Sequence, residues 1–150
     1  MARPRILAAV SGPSLPVLTD LLGGWCEVIP SLAMRDALER AKRGQIAAVV
    51  IGMHFDGSQM PILLEALKSD PATRNIPVVC CRLRPTLLSS ATLHAANMLC
   101  AALGAEAFLD LLTRRERAGR AAAAAELRIV LRRALGGRPR SIKTVGSCVG

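Results

Sequence analysis

A chain of 150 residues fits one domain of ordinary size, and with 51% hydrophobic residues it can bury a substantial core. Aromatics are only 2%, with Trp25, Phe55, Phe108 and no Tyr. The core is therefore built from Ala, Leu, Val and Ile, and little is left for stacking unpaired bases, which weakens a single-stranded nucleic-acid role. The net charge of +9, carried mostly by Arg, attracts polyanions or an acidic partner, or else reflects Arg as the default surface residue, since the charge is spread over many segments.

In chain order, short apolar runs alternate with helical patterns. Ile6 to Val10 reads as a first strand closed by Ser11-Gly12-Pro13. Ser14 is placed to cap a helix with Pro16 in its first turn and an apolar stripe of Leu15, Leu18, Leu21 and Leu22, ended by Gly23-Gly24. Cys26 to Ile29 is a short second strand. Met34, Ala37, Leu38 and Ala41 then line one face of a second helix that stops at Gly44. Ile46 to Ile51 is a third strand, continuous rather than alternating, as suits a central parallel strand covered on both faces. Met60 to Lys68 is a third helix broken by Ser69-Asp70-Pro71, and Ile76 to Cys81 a fourth strand. Leu87 to Leu103 reads as helical, Ala107 to Leu109 as a brief fifth strand, and Arg114 to Leu135 as one long Ala-rich helix. The β-α alternation implies a parallel sheet with helices on both sides, and in such sheets the functional crevice lies at the carboxyl ends of the strands. The informative tips are Val10-Ser11, Gly52, Arg82 and Leu111.

The five cysteines include no CxxC pair. Adjacent Cys80 and Cys81 point to opposite faces of a strand, so they read as small buried hydrophobes in a reducing compartment. His54 and His94 are far apart, and no metal-ligand spacing is visible. The N-terminal apolar run is too short for a signal peptide. No stretch reaches the ~18 apolar residues of a membrane span, so a soluble, cytoplasmic protein with no membrane partner is expected.

Several segments, in this order and spacing, resemble the receiver domain of two-component response regulators. They are Arg5-Ile6-Leu7, Pro13-Ser14-Leu15, Asp36-Ala37-Leu38-Glu39, the stretch from Leu63 to Pro71 leading into Ile76-Pro77-Val78-Val79, and Gly104 to Leu109. The resemblance covers roughly residues 5 to 135. It implies a flavodoxin-like, doubly wound five-stranded parallel sheet in three α/β/α layers, forming one domain over 1–137 with a basic tail over 138–150.

Active receivers hold Mg²⁺ on an acidic pair after the first strand and on an Asp ending the third, and that Asp takes up the phosphoryl group. A Thr or Ser at the fourth tip and a Lys at the fifth then hold it. Hard Mg²⁺ wants oxygen ligands, the nucleophile is a carboxylate, and the Lys neutralises transferred charge. Here the acidic pair falls on Val10 and Ser11, the acceptor on Gly52, the Thr or Ser on Arg82 and the Lys on Leu111. The chemistry is absent at every tip. No catalytic residue, metal or cofactor is expected.

Asp56 is an alternative acceptor on the same loop, or half of an ordinary Asp-Gly turn. His54 is a phosphohistidine or ligand candidate, or a partly buried loop histidine. Arg82 either turns into the vacated pocket or reaches solvent. Residues 83–103 make the chain about two helical turns longer than a usual receiver. They form either a contact surface, with Leu88 and Leu93, or a longer cover over their own sheet. Phe108 stands where active receivers carry a switch aromatic, and with Arg82 opposite it reads as a static part of the core edge or contact face. Arg117, Arg120, Arg128 and Arg132 could share one side of the last helix, as a docking face for an acidic partner or nucleic acid, or as a solvated face. The chain stops too soon for a following helix-turn-helix. The sequence thus reads as a phosphorylation-independent pseudo-receiver, non-enzymatic, that docks a signalling protein or a second copy. The alternatives are a regulator phosphorylated at an unusual residue and, less favoured, a basic nucleic-acid adaptor.

Overall fold

The computed structural model describes residues 3–85 and 89–137. Leu88 and the tail 138–150 lie outside the described residues. Five strands form one sheet: β1 (Arg5–Ala9), β2 (Glu27–Ser31), β3 (Ala48–Gly52), β4 (Val78–Arg82) and β5 (Ala107–Asp110). Their order is β2-β1-β3-β4-β5, with every neighbour parallel. The helices are α1 (Leu15–Leu22), α2 (Met34–Lys42), α3 (Met60–Ser69), α4 (Ser90–Ala102), α5 (Leu111–Ala118) and α6 (Arg120–Gly137).

The continuous apolar strands are explained by the two layers they separate. On one face Ile6, Ala8, Val10, Val50, Val79 and Cys81 pack against Leu18, Leu21 and Leu22 of α1 and Leu127 and Leu131 of α6. On the other face Leu7, Ala9, Val49, Ile51, Val78 and Cys80 pack against Ala37 and Ala41 of α2, Leu63, Leu64 and Leu67 of α3, and Cys100 of α4. Each fully buried Leu in these layers contributes about 1.5–3 kcal/mol. Cys80 and Cys81 do face opposite layers, and Cys26, Cys80, Cys81 and Cys100 are buried free thiols. Burial alone pushes the Cys81 thiol up to about 12.

The structure corrects several boundaries. β2, β3 and β4 begin and end one to two residues later than the apolar runs suggest, β1 begins and ends one residue earlier, and β5 runs one residue longer, because inter-strand pairing, and not hydropathy, sets their ends. β3, for example, starts at Ala48 opposite Ile6 and ends at Gly52 opposite Cys81. Ser14 stands at the start of α1 but makes no capping hydrogen bond to it; its Oγ instead accepts from Ser11 Oγ at 2.8 Å. Ser89 starts α4, accepting from the Thr92 N–H, so the helix is shorter than the expected span.

The long last helix is two helices. Gly119 separates α5 from α6 with φ 96 and ψ 166, a conformation essentially reserved for glycine. The break lets α6 turn back and lie on α1.

Candidate functional site

The carboxyl rim of the sheet is assembled from the loops after β1, β3, β4 and β5. Val10 follows β1 and is fully buried, its N–H donating to the Ser31 carbonyl at 3.3 Å. Gly52 ends β3, and its backbone lies so close to Val10 that a methyl there would meet Val10 Cγ1 at 3.0 Å and Cβ at 3.4 Å. There is no room at this tip for a carboxylate side chain unless Val10 moves. Ser11 spends its hydroxyl hydrogen on Ser14. Leu111 is fully buried in the same apolar layer as Val10 and Leu83.

Arg82 neither fills a vacated pocket nor simply reaches solvent. From the end of β4 its guanidinium Nη1 donates to Asp110 Oδ1 at 3.1 Å and Oδ2 at 3.2 Å, and to Thr113 Oγ1 at 3.4 Å. The two side chains are only 12% and 29% exposed, so the pair is screened less than a surface ion pair. Asp110 is also the N-cap of α5, accepting from the Thr113 N–H at 3.2 Å and from its hydroxyl at 2.8 Å. One carboxylate thus starts a helix and ties β5 to β4. The sequence reading missed Asp110; the Asp110-x-x-Thr113 spacing is the signal that marks it as a cap.

These donors do not fit a divalent cation. Val10, Gly52 and Leu111 bring no side-chain oxygen, Ser11 is engaged, and Asp110 is held by a guanidinium. Among the described residues no group of three or more His, Cys, Asp or Glu could hold a metal.

The alternative acceptor Asp56 is bound into the fold. Asp56 and Ser58 both adopt positive φ, 44 and 67, in a tight turn over Phe55–Ser58. The Asp56 Oδ2 accepts the Met34 N–H at 2.9 Å, holding this turn to the start of α2. Gln59 Nε2 donates to the Asp56 carbonyl at 2.7 Å. Next to it, His54 is half-buried. Burial, followed by the charges of Arg84 and Arg82, holds its imidazole below the usual range and hence neutral. Asp36, from the second-helix segment, accepts from Ser31 Oγ at 2.7 Å and Arg40 Nε at 2.9 Å, which hold its carboxyl below the usual range.

The remaining surface candidates divide between the two sides of the sheet. Phe108 packs against the layer containing α3 and α4, and Leu93 is half-buried on α4. Because of the Gly119 break, Arg117 sits on α5 while Arg120, Arg128 and Arg132 sit on α6. Arg120 clamps Asp20 of α1, with Nη2 at 3.1 Å from Oδ1. Arg132 stacks over Trp25, 5.3 Å from the ring centroid. Of the four arginines expected on one side, Arg117 thus falls on a separate helix, while Arg120, Arg128 and Arg132 of α6 lie toward Asp20, Gly23 and Trp25. α4, by contrast, buries only Cys100, and its Met98 and Leu99 are 61% and 44% exposed. No helix among the described residues is long and apolar enough to cross a membrane.

No family model and no characterised protein sequence matches the chain. Solved structures do. A sensor protein from Polaromonas sp. JS666 superposes with a TM-score of 0.68 at 21% identity, over 91% of this chain and 98% of that one. The receiver domain of a sensor histidine kinase from Pseudomonas aeruginosa, with magnesium coordinated in its active-site cleft, gives 0.65 at 18%, over 90% and 99%. An orphan response regulator of H. pylori gives 0.59 at 12%, over 85% and 96%. What these likenesses establish is the architecture: the chain has the flavodoxin-like fold of receiver domains, a five-stranded parallel sheet with helices on both sides.

Proposed function

We propose that this chain is a pseudo-receiver, a protein-interaction and regulatory module of bacterial-type signal transduction that works in the cytoplasm without taking up a phosphoryl group and without catalysis of its own. The observation that carries this reading is the contact of Val10 with Gly52. The acceptor position has no side chain, and an apolar one from the neighbouring strand occupies the space beside it. The packing of Val10 against Gly52 matches a tip without a carboxylate, and Arg82–Asp110 joins the two strands where active receivers hold the phosphoryl group.

Docking is assigned to the uncharged, weakly buried face of α4, with Met98 and Leu99, and to the adjacent α5 and α6. The partner is a signalling protein or a second copy of the chain. Nucleic acid is less favoured because Arg120 and Arg132 are engaged within the fold.

The test is incubation with magnesium and acetyl phosphate followed by intact-mass measurement, for the natural chain and for Asp56→Ala. No phosphoryl adduct is expected on either. A magnesium-dependent adduct that disappears in Asp56→Ala would establish an atypical phospho-acceptor instead. An adduct retained in Asp56→Ala would place the acceptor elsewhere and equally end the phosphorylation-independent reading.

A further inference from the structure

A cavity of about 250 Å³ opens between α3, α4 and the loop after β3, lined chiefly by Met53, His54, Met60, Ala96, Leu99 and Cys100. It opens beside the rim, at the loop after β3, and shares Leu99 with the docking face of α4, whereas the absence of phosphoryl chemistry does not depend on it. Its size has a physical meaning: an apolar protein cavity of about 150 Å³ already admits benzene. This one has space for a single ring with a short substituent, or for a short acyl chain.

The wall is built in advance. Met60 and Cys100 are buried, and Phe55 behind the loop is fully so. The turn that carries Ser58 to the cavity keeps two non-glycine residues at positive φ. Such backbone is retained only where its surroundings fix it, at about 1–3 kcal/mol per residue. Here the fixing contacts are Asp56 to the Met34 N–H, Gln59 to the Asp56 carbonyl, and the Gln59 N–H to the Phe55 carbonyl at 2.8 Å.

The electrostatics choose between ligands. Two thioethers, a thiol and an imidazole are soft donors that would suit a soft metal cation. The neighbouring charges are Arg84 and Arg82, both positive and both acting on His54. They oppose any cation and favour an anionic group beside the neutral imidazole. Arg82 is committed to Asp110, whereas Arg84 is exposed and has no hydrogen-bond or ion-pair partner among the described residues. An apolar hollow with one neutral hydrogen-bonding ring in its wall, and with the exposed Arg84 just beyond the end of β4 acting on that ring from outside the lining, matches a molecule with an apolar body and a single negative end.

We propose that this cavity binds a small monocarboxylate, its ring or short acyl chain among Met53, Met60, Ala96 and Leu99 and its carboxylate beside His54 and Arg84.

The test uses protein labelled with carbon-13 at the methionine methyls, titrated with benzoate and octanoate and, as neutral counterparts, benzyl alcohol and octanol. Saturable shifts of the Met53 and Met60 methyl signals are expected with the carboxylates, at lower concentration than with the alcohols. Arg84→Gln should weaken carboxylate binding about two- to fivefold and leave the alcohols unchanged, the size expected for one partly exposed charge pair. Ala96→Phe should abolish the shifts while the rest of the spectrum stays native; if that variant does not fold, the titration of the natural chain still decides. Shifts confined to Met98, no saturable shift with any of the four probes, or alcohols binding as tightly as their acids would each overturn the proposal.

Discussion

Arg82 and Asp110 stand opposite each other in register at the ends of β4 and β5, and their side chains complete the pairing that the backbone begins. The carboxylate serves the guanidinium and the first turn of α5 at once, so its removal has two costs. Asp110→Ala should lower unfolding free energy by about 1–3 kcal/mol, the range for a partly buried charge left unpaired with loss of a cap. Asp110→Asn, which keeps an acceptor for the Thr113 N–H, should lose less. Urea unfolding of both variants measures the difference, and equal losses would show that the cap contributes nothing beyond the ion pair.

Restoring an acceptor at the third strand should fail for steric reasons before chemical ones. Gly52→Asp brings a Cβ to 3.0 Å from Val10 Cγ1, inside a fully buried layer. A destabilisation of about 1–3 kcal/mol is expected from such overpacking. Val10→Ala removes the obstructing methyls and should recover part of that loss in the double variant. A double-mutant cycle read by denaturant midpoints checks it, with additivity of the two substitutions as the contrary result.

Gly119 is the hinge that turns α5 into α6. At φ 96 and ψ 166 a side chain is strained whatever space surrounds it. Gly119→Ala should cost about 1–3 kcal/mol. It should also loosen α6, visible as faster amide exchange at Leu127 and Leu131 while β1 and β3 keep their protection.

His54 makes stability fall in mild acid. Its imidazole titrates lower in the folded chain than the ordinary value of about 6.5, because burial and two nearby guanidinia oppose its charge. Below pH 6.5 the unfolded chain therefore binds a proton that the folded chain refuses, and stability drops with pH until the folded imidazole also titrates. His54→Gln should flatten the stability profile between pH 7 and the acid end of that window. Thermal melts in matched buffers measure the slope, and an unchanged slope would remove His54 as its origin.

Much of the architecture is legible in the residues. The apolar runs at Ile6–Val10, Ile46–Ile51 and Ile76–Cys81 mark the three central strands because a strand covered on both faces has no reason to alternate. The opposed burial of Cys80 and Cys81 follows from the same geometry. The helix break at Gly119 is hidden by its surroundings: Ala, Arg and Glu on both sides favour helix, and one glycine inside such a pattern costs only about 1 kcal/mol if it stays helical.

The rim is legible as a set of missing groups, but what replaces them is not. Arg82 and Asp110 are 28 residues apart, and only the register of β4 with β5 brings them together. The contact of Val10 with Gly52 depends likewise on how β1 and β3 converge. The cavity beside Met53 and Met60 is set by where α4 settles, and its sequence, with few large apolar residues, does not dictate that position.

Trp25 is the chain's single indole, and Arg132 of α6 lies over it while its Nε1 is buried without a partner among the described residues. The molecule thus contains its own fluorescent probe of helix seating. Excited at the indole alone, the emission reports whether the last helix rests on the α1–β2 turn, so that a partner which lifts or clamps that helix announces itself by a change in colour and brightness with no added dye.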